Sequence, residues 1–184
     1  MNEIDLLLRA YEGFVALPWN QGLAGSQKVW FAIYDKVLER RLRHRVDEFA
    51  LATQRAKHRW TPIDVTDEFP KWLSGHENRD AYFGDADEFD LAKNDFLAAT
   101  AQRIHHRLAE SDEETVVAIL GVATLFGIGH VSELISQIQL GIRGRLLVFF
   151  PGVYERNIYR LLDARDGFNY LAIPITPYKG AANR

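Results

Sequence analysis

The chain has 184 residues, 47% of them hydrophobic and 26% charged, with a formal net charge of -3 and a pI near 6.1. That is the balance of an ordinary soluble globular protein that buries one good core, and it argues against a surface that tracks nucleic acid along its whole length while leaving room for a local basic patch. With no cysteine, a disulfide framework and thiol or thiolate-zinc chemistry are excluded and a reducing cytoplasm fits. The acidic start Met1-Asn2-Glu3-Ile4-Asp5 is unlike a signal peptide, and no apolar run approaches the roughly 20 residues of a membrane span, so a cytoplasmic location away from membranes is expected.

Ile4, Leu7, Leu8, Tyr11, Phe14 and Val15 recur at helical spacing, so residues 1–17 are predicted to open the chain as an amphipathic helix ending near Pro18. A loop with Gly22 and Gly25 leads to residues 28–35, rich in aromatic and β-branched side chains and short enough for a buried first strand. The stripe Leu38, Leu42, Val46 and Phe49 predicts one long helix over residues 36–56, capped by Asp35. Residues 60–66 read as the second strand.

Residues 64–95 then hold ten acidic residues against three basic ones, with Phe69, Trp72, Tyr82, Phe83 and Phe89 scattered among them, a pattern of short helices and turns. The set Leu91, Phe96, Leu97, Ala101, Ile104 and Leu108 predicts a second long helix. Residues 115–120 form the third strand, residues 121–127 the loop after it, and Val131, Leu134, Ile135 and Ile138 a short helix. The wholly apolar run Leu146 to Phe150 predicts a strand covered on both faces, stopped abruptly by Pro151-Gly152. A helix or helical turn over residues 153–162, a fifth strand over residues 170–175 and a frayed tail over residues 177–184 complete the reading. Strands separated by helical segments imply an α/β fold: a single three-layer domain over residues 1–184, with a mostly parallel sheet of about five strands and helices on both faces.

Such sheets often bind nucleotides, but no GxxxxGK[ST] motif occurs, and the glycines at 121, 127 and 129 come with Val122, Leu125 and Phe126 rather than a lysine, so no phosphate-binding loop and no cofactor are expected. Asp35, at the carboxyl end of the first strand, fits either a catalytic carboxylate or, more simply, a helix cap. The six histidines fall into no H-E-x-x-H or H-x-E pattern. Adjacent His105 and His106 diverge by about 100° on a helix, and His130 is either an acid or base at a strand-to-helix junction or a structural residue. Glu-x-Lys and G-x-S-x-G are both absent, which disfavours one nuclease class and the serine hydrolases. Residues 36–59 carry eight Lys or Arg against three acids, and Arg40, Arg41, Arg43 and Arg45 read either as a phosphate-binding face or as a solvated face that offsets the acidic segment.

From residue 115 onward the order is a strand, Gly121-Val122-Ala123-Thr124-Leu125-Phe126, a helix beginning Val131-Ser132, the strand end Leu147-Val148-Phe149-Phe150-Pro151-Gly152, and Asn169-Tyr170-Leu171-Ala172. This resembles the BrxB family, small accessory proteins of the BREX bacteriophage-exclusion systems; the earlier residues match only in the order of helix, strand and basic helix. The family tends to carry an aromatic residue and an Arg before Val-Ser, where this chain has Gly127-Ile128-Gly129-His130, so a role for that Arg does not carry over. The resemblance implies a non-catalytic adaptor in antiviral defence that docks the phosphatase-like PglZ, with the ATPase BrxC or the BREX methyltransferase as further partners. The competing reading is a nucleic-acid-binding accessory protein that uses residues 36–59. Partner surfaces gather aromatic side chains, which singles out Trp19, Trp72, Tyr82, Phe83 and Tyr154.

Overall fold

The computed structural model describes residues 2–178 apart from 83 and 166. Helix α1 (Glu3–Val15) begins with a reciprocal cap in which the Asn2 side chain accepts from the Asp5 main chain and the Asp5 carboxylate accepts from Asn2, satisfying two main-chain donors that the first turn would otherwise leave open. Strand β1 (Val29–Tyr34) is buried at every position. After it come α2 (Glu39–Arg43), α3 (Val46–Arg55) and β2 (Arg59–Asp64), then the short helices α4 (Glu68–Ser74) and α5 (Arg79–Tyr82), and the long α6 (Ala86–Ala109). The remaining elements are β3 (Thr115–Leu120), α7 (Val131–Ile138), β4 (Arg145–Glu155), β5 (Ile158–Leu161) and β6 (Ile173–Ile175).

The sheet order is β2-β3-β4-β1-β6, all neighbours parallel, with β5 antiparallel to the far half of β4. Strand β1 thus lies beside β4 rather than β2, and the chain crosses two strands in passing from β1 to the β2 edge. Side chains alternate between two cores, as the pleat dictates. Trp30, Ala32, Tyr34, Val116, Ala118, Leu147 and Phe149 pack under α1 and α3, while Val29, Phe31, Ile33, Val117, Ile119, Leu146, Val148 and Phe150 pack under α6 and α7. Because both faces are covered, the strands read as continuous apolar runs. The expected α/β architecture with a mostly parallel sheet and surrounding helices is the architecture observed.

Three expectations need correction. The helix predicted over residues 36–56 is a 3-10 turn (Lys36–Leu38) followed by α2 and α3, with a break at His44 and Arg45; the Arg45 N–H turns to the Leu42 carbonyl, and the apolar stripe stays on one side across the break, so periodicity does not register it. Pro151-Gly152 does not stop the fourth strand. Pro151 still pairs with Tyr34 in the parallel register, and Gly152 opens an antiparallel register opposite Leu161. The helix predicted over residues 153–162 is that hairpin, turned at Arg156 and Asn157, both with positive φ (51° and 65°). It folds over the α6/α7 face of the sheet beside those helices: Tyr159 is fully buried, its ring 4.6 Å from Phe31 in an edge contact, and its hydroxyl donates to the Ala172 carbonyl. A hairpin therefore covers part of one face where a helix was expected. The fifth parallel strand is present but shorter than predicted, as β6.

Candidate functional site

Open parallel sheets take ligands at the carboxyl ends of their strands, and in this chain that edge is divided into a closed polar network and an open cleft. The network begins at Tyr34, buried at the end of β1, whose hydroxyl donates to the Glu39 carboxylate. Arg43 on α2 donates from Nε to Glu39 Oε1 (2.7 Å), from Nη1 to Asp64 Oδ2 (2.8 Å) and from Nη2 to Thr66 Oγ1 (2.6 Å). Asp64 Oδ1 in turn accepts from the main chain of Thr66 at 2.9 Å and from its hydroxyl. Burial and the adjoining Glu39 carboxylate push the Tyr34 phenol far above its usual range. Burial opposes charge on Asp64, but the bonds from Thr66 and Arg43 outweigh it and hold the carboxyl below its ordinary value. Each polar group here is committed to another.

Gly121 is fixed by this network. It closes β3 with φ +84°, and a Cβ there would lie 2.7 Å from the Thr66 nitrogen and 2.9 Å from Asp64 Oδ1, so both the dihedral and the space require glycine. The loop that follows is a 3-10 turn (Val122–Leu125) with Val122 and Leu125 buried: it packs rather than cradles an anion.

The cleft, about 920 Å³, lies where the ends of β1, β4 and β6 meet the β4-β5 hairpin. It is lined by Val153, Tyr154, Arg156 and Arg160 of the hairpin together with Lys36 and Tyr178. Its carboxylates are largely engaged: Glu3 Oε1 accepts the Asp35 N–H (2.9 Å), Asp35 Oδ1 caps Val37 (2.9 Å), and Asp163 pairs with Lys36. Asp35 is thus a helix cap, the simpler of its two readings. A second cleft, about 730 Å³, lies between α6 and the loop before α7, with Phe126 and the exposed His130 on its rim. The described residues contain no group of three or more His, Asp or Glu side chains placed to hold a metal, and no described helix is long and apolar enough to cross a membrane.

The structure separates the residues singled out in the sequence. Arg40 and Arg41 are exposed on α2, but Arg43 belongs to the network above and Arg45 is held by Glu48 (2.6 and 2.5 Å) and Asp5. Tyr82 is buried, 3.0 Å from His76 Nδ1. Trp19 and Trp72 are half-buried against their neighbours. Phe83 lies outside the described residues, as do residues 179–184 of the predicted tail. Of the described candidates for a partner surface, Tyr154 is the one that lines the open cleft, its hydroxyl donating to Asn157 Oδ1 at 2.9 Å. The cleft residues that sequence reasoning passed over are Arg156, Arg160, Asp163 and Tyr178. The signal for the first two was present: branched and aromatic residues on both sides of Arg156-Asn157, with Asn, a residue that tolerates positive φ, at the turn.

Comparison of the chain with protein-family models, with curated proteins and with solved structures finds no match. The likeness to BrxB therefore stands on the residues quoted from position 115 onward.

Proposed function

We propose that this chain is a non-catalytic docking component that works in the cytoplasm, and that, following its resemblance to BrxB, it serves a BREX phage-defence assembly by binding PglZ. The observation that carries the docking role is the β4-β5 hairpin. It extends a central strand of the sheet past the carboxyl edge and displays Val153, 44% exposed, with Tyr154, Arg156 and Arg160 along an open cleft, the mixture of apolar, aromatic and arginine side chains that protein interfaces favour. The surrounding carboxylates are engaged with main-chain donors or cations of the chain itself, so the cleft offers shape and contact. BrxC and the BREX methyltransferase are the further partners that the resemblance supplies.

The test is co-elution of the purified chain with the PglZ of the same system, both folded, at micromolar concentration. Association is expected, and Val153→Asp with Tyr154→Ala should weaken it by about tenfold or more, the scale of a central interface anchor. Failure to associate removes PglZ as the partner; association indifferent to the double substitution moves the surface off the hairpin.

A second reading, nucleic-acid binding, has one observation in its favour: Arg40 and Arg41 are exposed on α2, and neither forms an ion pair among the described residues. Salt-dependent retention of DNA that Arg40→Glu with Arg41→Glu abolishes would establish it. Arg43 and Arg45 are unsuitable for that test, since changing them dismantles the chain's own ion pairs.

A further inference from the structure

The second cleft, about 730 Å³, has the size of a small-ligand pocket. Strand β5 divides it from the first: Arg160 lines the one and Leu161, on the alternate face of the strand, lines the other. The chain's own contacts hold its sides in place. Gly129 brings the loop before α7 so close to α6 that a Cβ there would lie 2.3 Å from Leu97 Cδ1. The Ile128 and Gly129 N–H groups both donate to the Leu125 carbonyl at 2.9 Å, and Phe168 exchanges two main-chain bonds with Tyr159, each of 2.9 Å. The cleft is thus formed ahead of any ligand, which spares binding the cost of ordering it.

Its lining is apolar over Leu97, Ile128, Leu161 and Phe168, with Leu97 and Leu161 buried, and Phe126, 52% exposed, holds a further aromatic ring at the rim. Six ionisable side chains join them, and most are committed within the chain. Lys93 Nζ bonds Asp90 Oδ1 at 2.8 Å and stands 4.8 Å from the centre of the Phe89 ring. Asp163 pairs with Lys36, and Glu133 Oε2 accepts the main-chain N–H of His130 at 3.3 Å. What remains is the His130 ring, which makes no cap bond to α7, and the exposed Arg165 guanidinium, which forms no ion pair among the described residues. The uncommitted groups of this cleft are therefore hydrogen-bond donors, and one carries a fixed positive charge.

We propose that this cleft binds a small aromatic anion, its rings against Leu97, Ile128, Phe126 and Phe168 and its acid group taken by Arg165 and the His130 ring. An apolar pocket with a few convergent donors selects a ligand of that form: the rings supply buried area, and the guanidinium fixes the acid group in a charge-assisted bond. A neutral ring compound leaves Arg165 without an acceptor. A cation meets it as repulsion.

The test is a fluorescence titration of the folded chain with anilinonaphthalene sulfonate, an aromatic body bearing one acid group. It should saturate as a single site and be reversed by naphthoate, while naphthol, the same rings without the charge at neutral pH, competes about tenfold less well, the scale of one charge-assisted bond. Arg165→Gln should weaken the sulfonate and naphthoate about tenfold and leave naphthol unchanged, a split that a merely structural role would not produce. Asn94→Trp, at an exposed position of α6 that lines the cleft, should fill it and block all three. Circular dichroism checks that each variant is folded, and if Asn94→Trp is not, Arg165→Gln decides alone. No saturable binding at millimolar concentration overturns the site, as does binding that survives Asn94→Trp in a folded chain. Naphthoate and naphthol competing equally, or Arg165→Gln leaving the anions unaffected, overturns the assigned ligand class.

Discussion

Arg43 ties together three segments that sequence places far apart: its own helix through Glu39, the end of β2 through Asp64, and the turn after β2 through Thr66. Gly121 closes the arrangement from β3. Gly121→Ala should cost about 2 kcal/mol or more, because a left-handed dihedral and a close contact are violated together; denaturant melts of the two proteins measure it. The depressed Asp64 carboxyl sets a direction for acid sensitivity. In the folded chain it binds its proton less readily than in the unfolded chain, so its contribution is present above the ordinary carboxyl value of 3.8 and is lost as pH falls through the lower folded value. Stability measured down that range should decline less steeply in Asp64→Asn than in the parent. None of this network was legible in the sequence. Tyr34, Glu39, Arg43, Asp64 and Thr66 form no motif, and what unites them is the arrival of β1 and β2 at one edge on opposite sides of β3 and β4. Asp35 was legible, because a cap is a local device whose partner lies two residues away.

At the scale of elements, apolar patterning gave the strands and long helices well and failed where the chain changes direction without changing its pattern. The stripe through Leu38, Leu42, Val46 and Phe49 spans α2 and α3 despite the break between them. Residues 153–162 read as a helix or helical turn, whereas the branched and aromatic side chains of Val153, Tyr154, Ile158 and Tyr159 belong to a two-stranded ribbon. Pro151-Gly152 was misread for a related reason. Proline is accepted at the end of the parallel register, and glycine is needed next because a Cβ on Gly152 would lie 2.9 Å from the Phe150 ring and closer still to the Arg160 carbonyl oxygen. Gly152→Ala is therefore expected to displace β5 and expose Tyr159, destabilising the chain by about 1–3 kcal/mol, the range for overpacking a close contact. The hairpin amides should lose exchange protection before those of β1 and β3.

On the whole-molecule scale, the parallel α/β sheet was readable from the alternation of apolar runs and helices, while the order of its strands was not, since the neighbour of β1 comes more than a hundred residues later. Both outer strands of the parallel sheet carry a proline. In β2 the N–H groups of Arg59 and, just beyond the strand, Val65 point to the β3 side, onto the Glu114 and Leu120 carbonyls, so the missing N–H of Pro62 falls on the free edge, where proline discourages further strand addition. Pro174 occupies the middle of β6. Pro62→Val should leave the fold intact and introduce concentration-dependent self-association, visible as an earlier-eluting species in size-exclusion chromatography. The unbroken passage of β4 from the middle of the sheet into the hairpin bears on how a load would travel. A tug on the hairpin along β4 is resisted in shear by the β1 and β3 ladders together, so many hydrogen bonds share the force and none is peeled first. A partner held there would be moored to a strand paired on both sides rather than to a loop that could pay out under tension.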